Sequence, residues 1–156
     1  MSADGLTAQV PLCDRHGNVR AYATIDATDA DIVGQNCWSL NFGYANSGRL
    51  GKLHRFILGL ASSDECQVDH IDRDRLNCRR SNLRLATHGT NMQNKANYHG
   101  SRSRFRGVTW LKNYERWQAR VQVNGNRMLI GFYDNEEEAG AAAREARLRL
   151  MPFATD

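Results

Sequence analysis

The chain has 156 residues, enough for one large domain or two small ones. A hydrophobic share of 41% supports a buried core, and a charged share of 24% argues against disorder. No apolar run approaches a membrane span, and the start MSADGLTAQ lacks the basic and apolar regions of a secretion signal, so a membrane protein is not expected and a cytosolic location is.

In chain order, residues 9–26 (QVPLCDRHGNVRAYATID) read as two short strands around an HGN turn. DATDADIV follows as one helical turn, and CWSLNFGYA as a strand that ends in the turn-forming NSGRLG. KLHRFILGL sets Leu53, Phe56, Ile57 and Leu60 on one face of a short amphipathic helix, with His54 and Arg55 off that stripe. From Cys66 to Asn97 the pattern is strand (CQVDHI), polar loop (DRDRLNCRRSN), strand (LRLAT) and a short helix. The helix start is marked by Thr90 and Gln93 at capping-box spacing. ANYHGSRSR reads as a linker. FRGVTWL, WQARVQV and RMLIGFY are three strands, the last two joined by the hairpin signal NGN. NEEEAGAAAREARLRL is a helix capped by Asn135, with acids in its first turn and arginines towards its end. Phe105, Val108, Ala119, Val121, Leu129 and Phe132 are the residues expected to bury one face of the sheet against it.

Charge is unevenly spread: −2 over residues 1–50, +3 over 51–100 and +3 over 101–156, a net +4. Residues 98–133 carry seven Arg/Lys against Glu115 alone. A local surplus rich in arginine is the electrostatic footprint of a phosphate binder. Cys13, Cys37, Cys66 and Cys78 are widely spaced and include no C-x-x-C pair, so reduced thiols are expected.

Chemistry concentrates in VDHID (68–72) and the asparagines after it. Hydrolysing a phosphodiester takes a water deprotonated near neutral pH and a cation to offset charge on the phosphate. His70 has the right intrinsic pKa for the first task. Asp69 and Asn91 offer hard oxygens suited to magnesium or manganese. Cys66, His70, Cys78 and His88 form a competing zinc set by residue type, but no paired ligand spacing supports a structural zinc.

V-D-H-I-D, N-C-R-R-S-N-L-R-L-A-T and N-M-Q-N-K together resemble the HNH endonuclease motif of the phage and intron-encoded homing type, over roughly residues 53–97. The resemblance implies a strand–strand–helix metal fold. It assigns His70 as general base, Asp69 and Asn91 as metal ligands, and Asn82 as the brace of the loop that orients His70. It also places His54 beside the site as possible support. Arg79, Arg80 and Arg84 are expected at phosphates.

The stretch FRGVTWLKNYERWQARVQVNGNRMLIGFYDNEEEAGAAAREARL resembles the APETALA-type, ethylene-response-factor DNA-binding domain. That family inserts its sheet in the major groove, and Arg106 and Arg127 match arginines that touch DNA there. Thr109 and Gln122 stand where the family has further arginines. Arg104, Trp110, Lys112, Arg116, Arg120 and Gln122 complete the expected contact set.

The expectation is an α+β protein. An HNH nuclease domain spans 1–97, with a β-rich region over 1–52 and a ββα-metal core over 53–97. A linker over 98–103 leads to a three-stranded antiparallel sheet packed on a C-terminal helix over 104–153. The implied activity is magnesium- or manganese-dependent nicking of double-stranded DNA, with no small-molecule cofactor, in a prokaryotic or phage-infected cell. The alternative is a DNA-binding regulator on an inactive HNH scaffold.

Overall fold

The computed structural model describes residues 5–61, 63–94 and 102–155. It is mixed α+β, built from small antiparallel sheets and a C-terminal helix, and the chain divides into two compact units, Met1–Thr87 and His88–Asp156. The linker expected over 98–103 lies outside the described residues up to residue 101. No helix among the described residues is long and apolar enough to cross a membrane.

In the first unit, β1 (Thr7–Cys13) and β2 (Val19–Asp26) pair antiparallel, as the alternation in 9–26 predicts. A short helix α1 (Ala30–Gly34) follows. The stretch expected as one strand over 37–45 is instead a tight hairpin of β3 (Ser39–Asn41) and β4 (Tyr44–Ser47). Its turn is Phe42–Gly43, both at positive φ (48° and 79°), so the chain reverses in two residues. Then come β5 (Gly51–Lys52) and α2 (Leu53–Ile57), whose Leu53 and Ile57 are buried as the helical spacing requires.

The final hairpin of this unit pairs β6 (Gln67–His70) with β7 (Leu83–Ala86), setting Asp69 opposite Arg84 and His70 opposite Leu83. The core gathers Leu12, Ala23, Ile25, Val33, Leu53 and Cys78 from across the unit. Trp38 fills the space between α1 and α2. Its indole nitrogen donates to the Val33 carbonyl at 3.0 Å, and its ring lies 5.6 Å from Phe56.

The second unit begins with α3 (His88–Asn91) and a 3-10 turn over Met92–Asn94. Thr90 lies inside this helix rather than at its cap. Three antiparallel strands follow, β8 (Val108–Leu111), β9 (Arg116–Val123) and β10 (Asn126–Tyr133), with β9 central. Helix α4 (Glu136–Leu150) covers one face, and its Asn135 side chain accepts from the Glu137 and Glu138 amides, as the capping pattern predicts. Ala119 and Val121 pack on Ala139, Ala143 and Ala146.

Leu129 and Phe132, expected in this core, are 53% and 46% exposed. The register slips between Leu129 and Gly131, so Ile130 turns towards the helix while Leu129 pairs with Arg120 and Phe132 with Gln118 on the opposite face.

Candidate active site

His70 closes β6, and with Asp69 it is 5% exposed. Burying a carboxylate beside an imidazole is costly unless partners compensate. For Asp69 the compensation comes across the hairpin: Arg84 Nε and Nη2 both reach Asp69 Oδ2, at 2.8 and 2.7 Å. Arg84 thus sits on the carboxylate rather than in open solvent.

The loop after His70 is braced from within and from the N-terminal hairpin. Asn82 Nδ2 donates to Asp72 Oδ1 and to the Asn77 carbonyl, both at 2.8 Å, while its Oδ1 accepts from the Asp72 amide at 3.1 Å. The Asn82 carbonyl accepts from the Ile71 amide at 2.9 Å. Asn82 thus ties Ile71, Asp72 and Asn77 of this loop together.

From the other side, the Thr24 amide donates to the Leu76 carbonyl and the Cys78 amide to the Thr24 carbonyl, both at 2.8 Å. Arg80 donates from its backbone to Asp26 Oδ2 at 2.8 Å, and its guanidinium grips the buried Asp29 at 2.7 and 3.0 Å. That hydrogen bond is the main reason the Arg80 guanidinium is held more firmly protonated than usual. Arg79 Nε donates to Asn77 Oδ1 at 2.9 Å. Thr24, Asp26 and Asp29, from a region in which the sequence alone marks no chemistry, therefore help fix the loop beyond His70.

Three aromatic rings close the site. His54 lies edge-on to His70 at 4.9 Å, and Tyr44 lies 5.5 Å from His54 and 6.1 Å from His70. Burial, reinforced by His70, Lys52 and Arg55, pulls the His54 pKa down to about 3, so this imidazole is neutral at any ordinary pH. Burial also lowers the His70 pKa, opposed by Asp72, Asp69 and Asp74 and assisted by Arg75. His70 Nε2 faces Cys78 Sγ at 4.0 Å. Burial, with Asp74 and Asp72 nearby, pushes that thiol up to about 12, so Cys78 packs as a neutral thiol. Asp72 is lowered: burial acts to raise it, but the hydrogen bonds from Asn77 and Asn82 prevail.

Beyond these, Lys52 Nζ lies 4.6 Å and the Arg75 guanidinium 4.8 Å from the Tyr44 ring centroid. Tyr44, Lys52, Arg75 and Asp29 carry no motif signal, since their partners lie 8 to 51 residues away in sequence.

The remaining predicted residues belong to the second unit. Asn91 ends α3. Arg106 donates to the Gln93 carbonyl at 2.5 Å and the Met92 carbonyl at 3.1 Å, anchoring the 3-10 turn. Arg104 pairs with Glu137, and Arg116 with Asp134 at 3.0 Å. Trp110 packs 5.0 Å from Trp117, its cross-strand partner, while Lys112 lies in the turn beyond β8. Arg120, Gln122 and Arg127 are exposed, and with Arg106 and Arg147 they line a cavity of about 340 Å³.

A buried Asp-His pair thus closes an antiparallel hairpin whose loop is braced by an asparagine. Residues 52–93 match the HNH endonuclease family, so the chain carries an HNH-family domain there. The chain is also 36% identical over 125 residues to an uncharacterized HNH endonuclease of Acanthamoeba polyphaga mimivirus, an alignment covering 76% of this chain and 64% of the viral protein. The chain thus spans less than two thirds of that relative's length. No solved structure matches it.

Proposed function

We propose that this protein is a divalent-metal-dependent endonuclease that hydrolyses phosphodiester bonds of double-stranded DNA, with His70 as general base. The observation that carries this reading is the His70 imidazole, buried beside Asp69 at the end of β6 with the following loop held by Asn82. A base must be unprotonated before it can act. Burial keeps His70 in that state at neutral pH, and the neutral His54 ring packs against it without adding charge. Asn82 and the Thr24 backbone hold the loop that follows, so the imidazole keeps its direction as it takes a proton from the attacking water.

No group of three or more His, Cys, Asp or Glu side chains gathers to hold a metal among the described residues. The donor chemistry instead fits a hard cation held by few protein oxygens, with waters and phosphate completing the shell. Asp69 already anchors a cation, the Arg84 guanidinium. Asp69 is the ligand assigned here, and Asn91 is assigned on the motif alone, with magnesium or manganese as the suitable ion. Bound there, the ion would offset charge on the phosphate and on the departing oxygen.

The sheet of the second unit is proposed as the duplex grip, an APETALA-type surface. Arg120, Gln122 and Arg127 are exposed on the face turned away from α4, with Leu129 opposite Arg120 and Phe132 opposite Gln118 on the same face. Guanidinium groups suit phosphate and guanine, and apolar side chains suit the thymine methyl.

The test is a supercoiled plasmid incubated with wild type or His70→Ala, with magnesium, manganese or chelator. Open circle formed only by wild type with metal is the expected result. Unchanged cutting by His70→Ala would overturn the role of His70. Binding without cutting by wild type would favour the inert-scaffold regulator.

A further inference from the structure

The β3–β4 hairpin ends in a turn whose residues work against stability. Both turn positions have positive φ, a geometry that favours Asn-Gly or Gly-Gly, yet the first position is Phe42. A bulky residue there is strained, and Phe42 is also 90% exposed, the most exposed of the large hydrophobic side chains among the described residues. Strain and exposure together, at one residue beside a candidate active site, mark a side chain kept for contact with something else.

What surrounds Phe42 identifies that partner. Arg75 Nη1 donates to the Phe42 carbonyl at 3.3 Å, and the same guanidinium lies over the Tyr44 ring. Lys52 lies over that ring too, and both cations are exposed. The acids of the neighbouring loop are engaged there: Asp72 accepts from Asn77 and Asn82, and Asp74 accepts from the Leu76 amide. A continuous path of contacts therefore runs from the Phe42 carbonyl through Arg75 and Tyr44 to His54 and His70. Two exposed cations on the Tyr44 ring, one of them tied to the Phe42 carbonyl, match a nucleic-acid backbone running beside the projecting Phe42 ring. An apolar protein groove would have no use for the cations.

Resting on the nuclease reading, we infer that Phe42 is a wedge that enters the duplex at a base step beside the phosphate presented to His70, while Lys52 and Arg75 hold the adjoining backbone. Apolar wedges unstack one step and kink the duplex, which exposes the phosphate at that step. The rigid two-residue turn, tied to Arg75, keeps the ring projecting without needing a larger element behind it.

The experiment uses the full chain and closed circular plasmid. In chelator, which prevents metal-dependent cutting, protein and plasmid are treated with a topoisomerase that needs no metal, then deproteinised. A wedge unwinds the step it enters, so wild type and Phe42→Trp should leave the plasmid with a reduced linking number, whereas Phe42→Gly should leave it as relaxed as the protein-free control. Phe42→Gly should melt no lower than wild type, because glycine relieves the strained turn. With metal, Phe42→Gly should nick roughly tenfold to a hundredfold more slowly, the size of one lost aromatic–base stacking contact. Equal linking numbers for wild type and Phe42→Gly would overturn the wedge, as would equal nicking rates. A linking change in wild type without cutting under any metal would sustain the wedge and overturn the nuclease reading instead.

Discussion

Removing the Asn82 side chain should unlock the loop that follows His70. Asn82 is 7% exposed, and its side chain makes three hydrogen bonds, to the Asp72 carboxylate, the Asn77 carbonyl and the Asp72 amide. In Asn82→Ala the buried Asn77 carbonyl and the part-buried Asp72 amide lose this partner, at about 1 kcal/mol each, and the bond to the carboxylate contributes about 2 kcal/mol. The expected loss is therefore about 4 kcal/mol. It can be read from urea unfolding followed at Trp38, the sole tryptophan of residues 1–87, in a background where Trp110 and Trp117 are phenylalanine. Asn82→Asp keeps the shape but turns a donor into a second carboxylate facing Asp72. It should be worse than alanine at pH 7. Like charges raise its folded pKa above the unfolded value, so stability should return as pH falls. Nicking at a temperature where Asn82→Ala stays folded should drop roughly a hundredfold, as expected for a displaced catalytic group. A loss below about 1 kcal/mol, or Asn82→Asp matching wild type at pH 7, would refute the bracing account.

Acid should act through His54. Its pKa is about 3 in the folded protein against 6.5 ordinarily, so between those values the unfolded chain binds the extra proton. The stability it supports is full above pH 6.5 and declines as pH falls, by about 2–3 kcal/mol between 6.5 and 4.5. Urea midpoints of His54→Phe should fall less over that interval, and an identical fall would contradict the assignment. Arg84→Gln should destabilise the first unit by about 3 kcal/mol by leaving Asp69 buried without its guanidinium. Manganese should then raise the melting temperature of that variant more than that of wild type, and equal shifts would count against Asp69 as a cation site. In the second unit, Gly107 has φ +82°, and an added Cβ would lie 2.3 Å from the Arg120 carbonyl oxygen. Gly107→Ala should cost about 3 kcal/mol, seen as a lower melting point in the near-UV signal of the Trp110–Trp117 pair.

The features legible in the sequence are those set by neighbours within a few residues. The Asn135 cap, the buried stripe of α2, the β1–β2 hairpin and the strand pair around VDHID all follow from spacings of two to four residues, because backbone geometry alone brings those positions together. The HNH likeness is legible for the same reason, since Asp69, His70 and Asn82 lie on one hairpin and its loop.

Tertiary structure decided the rest. Phe42–Gly43 forms a turn within a stretch that reads as one strand, and a slipped register turns Leu129 and Phe132 outward, which alternation alone does not reveal. Arg79, Arg80 and Arg84 look alike as basic residues, yet each is committed to a different partner inside the protein. The Asp29–Arg80 pair spans 51 residues and the Tyr44–His54–His70 cluster joins three separate elements. Motifs record which side chains can do chemistry. Which of them are buried, paired and braced depends on contacts between distant segments, and those form only when the chain folds.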